Sequence, residues 1–181
     1  MRLPALETER LVVRPITPGD GDPVAEVLAR APHPGWVEWT ASGYEQLEAL
    51  RQPPYGERAV ALRTTGEVVA LVGVVPSMGP FDQLPGFGRA VDGAARFRPE
   101  VGLFWAVAPA HRGNGYATEA ARAVIDHGFG ELNLARIVAT TERDNLASIA
   151  VMRRLGMRVA ENPLAEPVWF QVVGWLDAPG V

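Results

Sequence analysis

The chain has 181 residues, with 17 Lys and Arg against 21 Asp and Glu for a formal charge of −4, and no cysteine. Its 48% apolar and 21% charged residues are the balance of a globular protein long enough to build a sizeable core, and a single domain over residues 1–181 is the simplest expectation. The missing cysteine excludes disulfides, thiolate metal sites and a cysteine nucleophile and fits a reducing, cytoplasmic compartment, while the mild acidity leaves no basic patch for a nucleic-acid partner.

In chain order, Met1-Arg2-Leu3-Pro4 runs straight into Glu7, Glu9 and Arg10, so no signal peptide is expected. Leu11-Val12-Val13 reads as a first strand stopped by Pro15. Asp22-Pro23 predicts a helix start, Asp as cap and Pro at the first position, with Val24, Val27 and Leu28 on its apolar face. Residues 32–43 read as irregular because of Pro32, Pro34, Gly35 and Gly43, and a second helix is predicted over Tyr44–Arg51. Ala59–Arg63 and Glu67–Val75 form a hairpin around Thr64-Thr65-Gly66. The second arm is apolar on both faces, as in a central strand. Residues 76–99, rich in Gly and Pro, read as a long loop, equally a binding segment or an inert insertion. Strand Glu100–Val107, helix Ala117–Gly130, strand Ile137–Thr140, helix Asn145–Leu155 and strands Met157–Ala160 and Val168–Trp175 complete the chain. The apolar stretches Val68–Val75 and Val101–Ala110 are too short to span a bilayer, so no membrane partner is expected. The pattern implies a mixed α/β fold with a central sheet of about seven strands.

The densest chemical signal is the run from Val101 to Ala120, where a strand enters a glycine-bearing turn and the turn enters a helix. The first turn of a helix exposes unsatisfied N–H groups and a partial positive charge. Gly113 and Gly115 let the backbone approach a ligand, and Arg112 adds a full charge, so the segment suits a phosphate or diphosphate. An ordinary strand-to-helix junction is the alternative. His33, His111 and His127 show no metal-ligand spacing with each other or with carboxylates, and no metal is expected.

The stretch Arg112-x-x-Gly115-x-Ala117 resembles the Arg/Gln-x-x-Gly-x-Gly/Ala signature of the GNAT superfamily of N-acetyltransferases. Leu6-Glu7-Thr8-Glu9-Arg10-Leu11-Val12-Val13-Arg14, Gly115-Tyr116-Ala117-Thr118-Glu119-Ala120, and Asp144-Asn145-Leu146-Ala147-Ser148-Ile149 with Arg154-Leu155-Gly156-Met157 resemble the branch that acetylates ribosomal-protein N-termini. The resemblance implies the acyl-CoA N-acyltransferase fold, with a mixed, mostly antiparallel sheet flanked by helices. It implies acetyl-CoA as cosubstrate and a primary amine as acceptor, either a protein N-terminus or a small molecule; a homodimer is compatible with it.

The implied diphosphate contacts are Arg112, Gly113, Asn114, Gly115, Tyr116 and Ala117. Ala106 and Val107 would bond the pantetheine arm through their backbone, in a gap where this strand and the Ile137 strand splay apart. Asn145 matches a pantetheine-contacting asparagine and reads equally as a helix cap. Ser148 matches a position near the sulfur, where it would protonate the leaving thiolate, or is a small polar residue in a first turn. Relatives that place a tyrosine acid later in this helix differ, since positions 151–153 are Val, Met and Arg. Glu100 is a candidate base, or a solvated strand-end carboxylate. Trp36, Glu38 and Trp39 are candidate acceptor contacts, with core packing as the alternative for the tryptophans. Without a cysteine, transfer is expected by direct attack in a ternary complex. The competing reading is a catalytically degenerate CoA-binding module.

Overall fold

The computed structural model describes residues 4–84, 87, 96–164 and 166–180. Among these, the strands are β1 (Leu6–Glu7), β2 (Leu11–Pro15), β3 (Gly56–Leu62), β4 (Val68–Gly79), β5 (Arg98–Val107), β6 (Arg136–Thr141), β7 (Arg158–Glu161) and β8 (Val172–Asp177). The helices are α1 (Gly21–Leu28), α2 (Trp36–Ala49), α3 (Tyr116–Gly130) and α4 (Leu146–Arg154). The strands form one mixed, mostly antiparallel sheet in the order β1-β2-β3-β4-β5-β6-β8-β7. The chain divides into two compact units, Met1–Val75 with Phe104–Asn133 and Pro76–Leu103 with Leu134–Val181.

In the first unit, β1, β2, β3 and the start of β4 follow one another antiparallel. Ala59, Ala61, Val68 and Leu71 pack with Ile16, Val24 and Val27 around α1 and with Val37 of α2; Trp36, Phe104 and Ala106 close over them. Leu11, Val13 and Val60 are buried one residue out of phase, so they point to the opposite face. Helix α3 packs along β1 and β2 and buries Ala120, Ala121, Val124 and Ile125.

Several boundaries differ from the sequence reading for identifiable reasons. The eighth strand, β1, has two residues, too few for a periodicity signal. It exists because Thr8 turns the chain back: its N–H donates to the Leu11 carbonyl at 2.9 Å and its Oγ1 accepts from the Leu11 N–H at 3.0 Å. Helix α1 starts at Gly21 rather than after Asp22, because a 3-10 turn over Pro18–Asp20 feeds directly into it. The segment 32–43 is not irregular throughout: α2 starts at Trp36, after Gly35 at φ +79° supplies the turn. Burial of Val37, with Trp36 packed on the same core, outweighs the roughly 1 kcal/mol helix cost of Gly43. Strand β4 runs on to Gly79 and β5 begins at Arg98, so the predicted 76–99 loop is shorter. Pro85, Gly86, Gly88 and Gly93 of that prediction lie outside the described residues.

In the second unit, β5 and β6 run parallel, with Gly102 opposite Val138. Strand β8 pairs antiparallel with both β6 and β7. The predicted last strand from Val168 is a 3-10 turn over Val168–Phe170 followed by β8, because Phe170 turns inward and is fully buried. Its ring meets Phe81 edge-on at 5.0 Å; Phe81 stacks on Phe87 at 5.1 Å, and Phe87 meets Trp175 at 5.2 Å.

Asp20 anchors the entry to α1. Arg14 donates to both carboxylate oxygens at 2.7 and 2.8 Å, and the Thr17 N–H and Oγ1 donate to Oδ2 at 2.7 and 2.8 Å. The hydrogen-bonded Arg14 guanidinium holds the Asp20 carboxyl down at about 2, against the upward push of burial. A depressed carboxyl stabilises the fold above its unfolded value of about 3.9 and loses that contribution as pH falls toward its folded value. Asp20→Asn is therefore expected to cost about 2–3 kcal/mol at pH 7 and much less near pH 2. Urea unfolding at the two pH values checks this; equal losses at both would assign Asp20 no ionic role.

Candidate active site

Strand β5 ends at Val107, and the Ala108 N–H donates to the Val69 carbonyl at 3.0 Å, anchoring the exit from the strand. A 3-10 turn over Pro109–His111 follows, then Arg112–Gly115, then α3. Gly113 and Gly115 both have φ +81°, the left-handed region that other residues resist, and Gly115 occupies the cap position of α3. Among the described residues, no backbone N–H from Gly113 through Thr118 donates a hydrogen bond. Free donors thus run from the glycine turn into the first turn of a 15-residue helix, whose positive dipole end adds to them. Such a row fits an anionic diphosphate.

Carbonyls just before the turn accept side-chain donors. The Asn114 side-chain amide donates to the His111 carbonyl at 3.0 Å. Arg112 Nε reaches back to the Val107 carbonyl at 3.4 Å, and its exposed guanidinium adds positive charge beside the turn. His111 pairs with Glu67 at 3.0 Å, so its ring is tied to the end of the β3–β4 hairpin.

Three residues outside the predicted set hold this turn from behind. Glu119, in the first turn of α3, accepts from Thr8 Oγ1 at 2.6 Å, from the Arg10 N–H at 3.0 Å and from Arg10 Nε at 2.7 Å. Arg10 also donates to the Asn114 carbonyl at 3.1 Å and lies 4.9 Å from the centre of the Tyr116 ring. Burial pushes the Glu119 carboxyl up, but its bonds to Thr8 and Arg10 prevail and bring it below the ordinary value. All three residues fall inside the resembling segments. What the sequence lacks is any sign that residues more than a hundred positions apart meet.

In the second unit, Asn145 caps α4, its Oδ1 accepting the Ser148 N–H at 3.1 Å. Ser148 Oγ bonds to no described residue. Glu100 is a half-buried carboxylate on β5, 4.0 Å from Arg136. Arg136 in turn donates to Asp177 at 2.6 Å and stands 4.6 Å over the Phe87 ring. Burial pushes the Glu100 carboxyl above its ordinary value, with Arg136 and Arg98 pulling the other way.

Trp36, Glu38 and Trp39 lie on α2 rather than in a loop, and the helix turns Glu38 away from Trp36. Trp36 packs half-buried on the core, while Glu38, about 160° round the helix, faces solvent. Trp39 is 70% exposed. No group of three or more His, Asp or Glu side chains suited to a metal ion occurs among the described residues. No described helix is long and apolar enough to cross a membrane.

The uncharacterized N-acetyltransferase YnaD of Bacillus subtilis (strain 168) is 46% identical over 59 residues, which are 33% of this chain and only 34% of that protein. The uncharacterized N-acetyltransferase YoaA of the same strain is 28% identical over 164 residues, 86% of this chain and 83% of that one. The fold matches the crystal structure of the ribosomal-protein-S5-alanine acetyltransferase from Vibrio fischeri with a TM-score of 0.66 at 18% identity, over 98% of each chain. The model of the acetyltransferase (GNAT) domain matches residues 10–158, a span holding the whole glycine turn and its Arg10–Glu119 support, and the chain belongs to the GNAT acetyltransferase family.

Proposed function

We propose that this protein transfers an acetyl group from acetyl-CoA to a primary amine, a protein N-terminus or a small amine, within a single acetyltransferase domain. The observation that carries this reading is the row of unbonded N–H groups from Gly113 to Thr118, opened by two left-handed glycines. The diphosphate of CoA suits those donors, with Arg112 as a flanking charge. The backbone of Ala106 and Val107 and the amide of Asn145 are the proposed pantetheine contacts, on family resemblance.

The amine nitrogen attacks the thioester carbonyl carbon; the C–N bond forms, the C–S bond breaks, and CoA leaves as a thiolate. With no cysteine to hold an acyl group, the attack is direct. Glu100 takes the proton lost by the amine, directly or through water; its burial raises its proton affinity in the direction a base needs. Ser148 donates a hydrogen bond to the leaving thiolate, which takes its proton from water, and the hydroxyl stays neutral throughout. Glu38 and Trp39 are exposed on α2 and are proposed to meet the acceptor.

The test is an acetyl-CoA screen against small amines and N-terminal peptides, read as thiol release. Acceptor-dependent release supports the reading. CoA binding with no turnover on any amine would favour a binding module that keeps the fold without the chemistry. Ser148→Ala is expected to lower kcat about tenfold or more with the KM for acetyl-CoA unchanged. Wild-type turnover in that variant would leave Ser148 with its place in the α4 cap and nothing more.

A further inference from the structure

Arg10 lies between β1 and β2, over a hundred residues from the glycine turn, yet it is the side chain that reaches behind that turn. We propose that Arg10 is a positioning residue for the diphosphate site: by gripping the Asn114 carbonyl, it sets the direction of the Gly115 N–H. The inference rests on the diphosphate reading above and deepens it.

The argument starts from the planar trans peptide, in which C=O and N–H point in opposite directions. The Asn114 carbonyl and the Gly115 N–H belong to one such plane. Arg10 Nη1 holds the carbonyl at 3.1 Å, so the N–H is turned away from Arg10 and toward open space. That plane would otherwise be among the freest in the chain. Gly115 lacks a Cβ, Gly113 lies one residue before Asn114, and both glycines adopt φ +81°. An inverted plane would aim a carbonyl, the wrong end of the dipole, at the diphosphate.

Arg10 is itself fixed. Its Nε and Nη2 meet Glu119 Oε2 at 2.7 and 2.6 Å, its own N–H donates to Oε1 at 3.0 Å, and Thr8 adds a bond to Oε1 at 2.6 Å. The guanidinium fork thus spans the turn, from the carbonyl before Gly115 to a carboxylate of the following helix. The pairing has a second effect. A free carboxylate in the first turn of α3 would repel the anion that the turn receives, and Arg10 neutralises it.

A plain alternative is that Arg10 contributes only its charge to the ligand. Two variants separate these roles. Arg10→Lys keeps the charge but has no fork to span Glu119 and the Asn114 carbonyl together. Glu119→Gln keeps the side chain's shape and releases Arg10. Positioning predicts that both weaken CoA binding, Arg10→Lys by about tenfold, as measured by calorimetry on the full chain. It also predicts that the KM for acetyl-CoA rises in step while kcat stays within about twofold. In the ligand-free Arg10→Lys protein, the Gly115 amide NMR signal should shift or broaden while those of Val124 and Ile125, deep in α3, stay fixed. Wild-type affinity in Arg10→Lys, tighter binding in Glu119→Gln, or an unmoved Gly115 signal would each overturn the proposal. Failure of the unsubstituted protein to bind CoA would instead overturn the diphosphate reading, so the two failures are told apart.

Discussion

Gly115→Asp is expected to weaken acetyl-CoA binding by about a hundredfold or more while leaving the protein folded. Aspartate is one of the few residues that visit the left-handed region, so φ +81° strains it less than it would most side chains. Its Cβ would meet nothing nearer than Arg10 Nη2, at an ordinary 3.6 Å. The carboxylate, however, would stand where the diphosphate is proposed to sit, taking the free N–H groups for itself and repelling the ligand. It would also compete with Glu119 for Arg10. Gly115→Asn, equal in shape but neutral, is the control and should lose about tenfold, so the gap between the two isolates charge. Calorimetry with CoA reads both. Equal affinity in the aspartate variant and the unsubstituted protein would reduce the turn to a structural junction.

Gly73→Ala is expected to be strongly destabilising, by about 3 kcal/mol or more, or about 6–12 °C in Tm for a chain of this size. Gly73 lies opposite Glu57 in the β3–β4 pair. A Cβ there would stand 2.1 Å from the Gly56 carbonyl oxygen and 2.8 Å from the Glu57 Cα. These are backbone atoms of a paired strand and cannot rotate aside, so β3 and β4 would have to part in the middle of the first unit's sheet. Gly21→Ala is the contrast: Gly21 is the first residue of α1, at φ −55°, with open space around its Cα. It should be neutral or slightly stabilising, since it restricts only the unfolded chain. Thermal unfolding of the two side by side checks the difference; a Gly73→Ala protein as stable as Gly21→Ala would mean that the strands adjust freely.

The site was legible wherever its chemistry is local. Gly113, Gly115 and the helix that follows lie within one short stretch, so both the glycine-bent turn and its resemblance to the GNAT signature could be read directly. The same holds for Asn145 and Ser148, three residues apart, whose capping bond is a contact within one turn. The breakers misled where burial outweighed them. Pro32, Pro34, Gly35 and Gly43 marked residues 32–43 as irregular, yet the apolar face of Val37 and the half-buried Trp36 carry α2 past Gly43.

What the sequence by itself determined is the run of elements apart from β1 and the first half of α2, the glycine-bent junction before α3, the lack of any thiol chemistry and the family. All of these are properties of neighbours along the chain, where spacing and residue type suffice. Only the tertiary structure decided that Thr8 and Arg10 close over Glu119, that Arg10 reaches the Asn114 carbonyl, and that Glu100 lies beside Arg136. Only it showed that Trp36 and Glu38 face apart. The physical reason is that a hydrogen bond or ion pair between distant residues leaves no periodicity in either segment. Its existence depends on which strand pairs with which, and that is settled when the whole core packs.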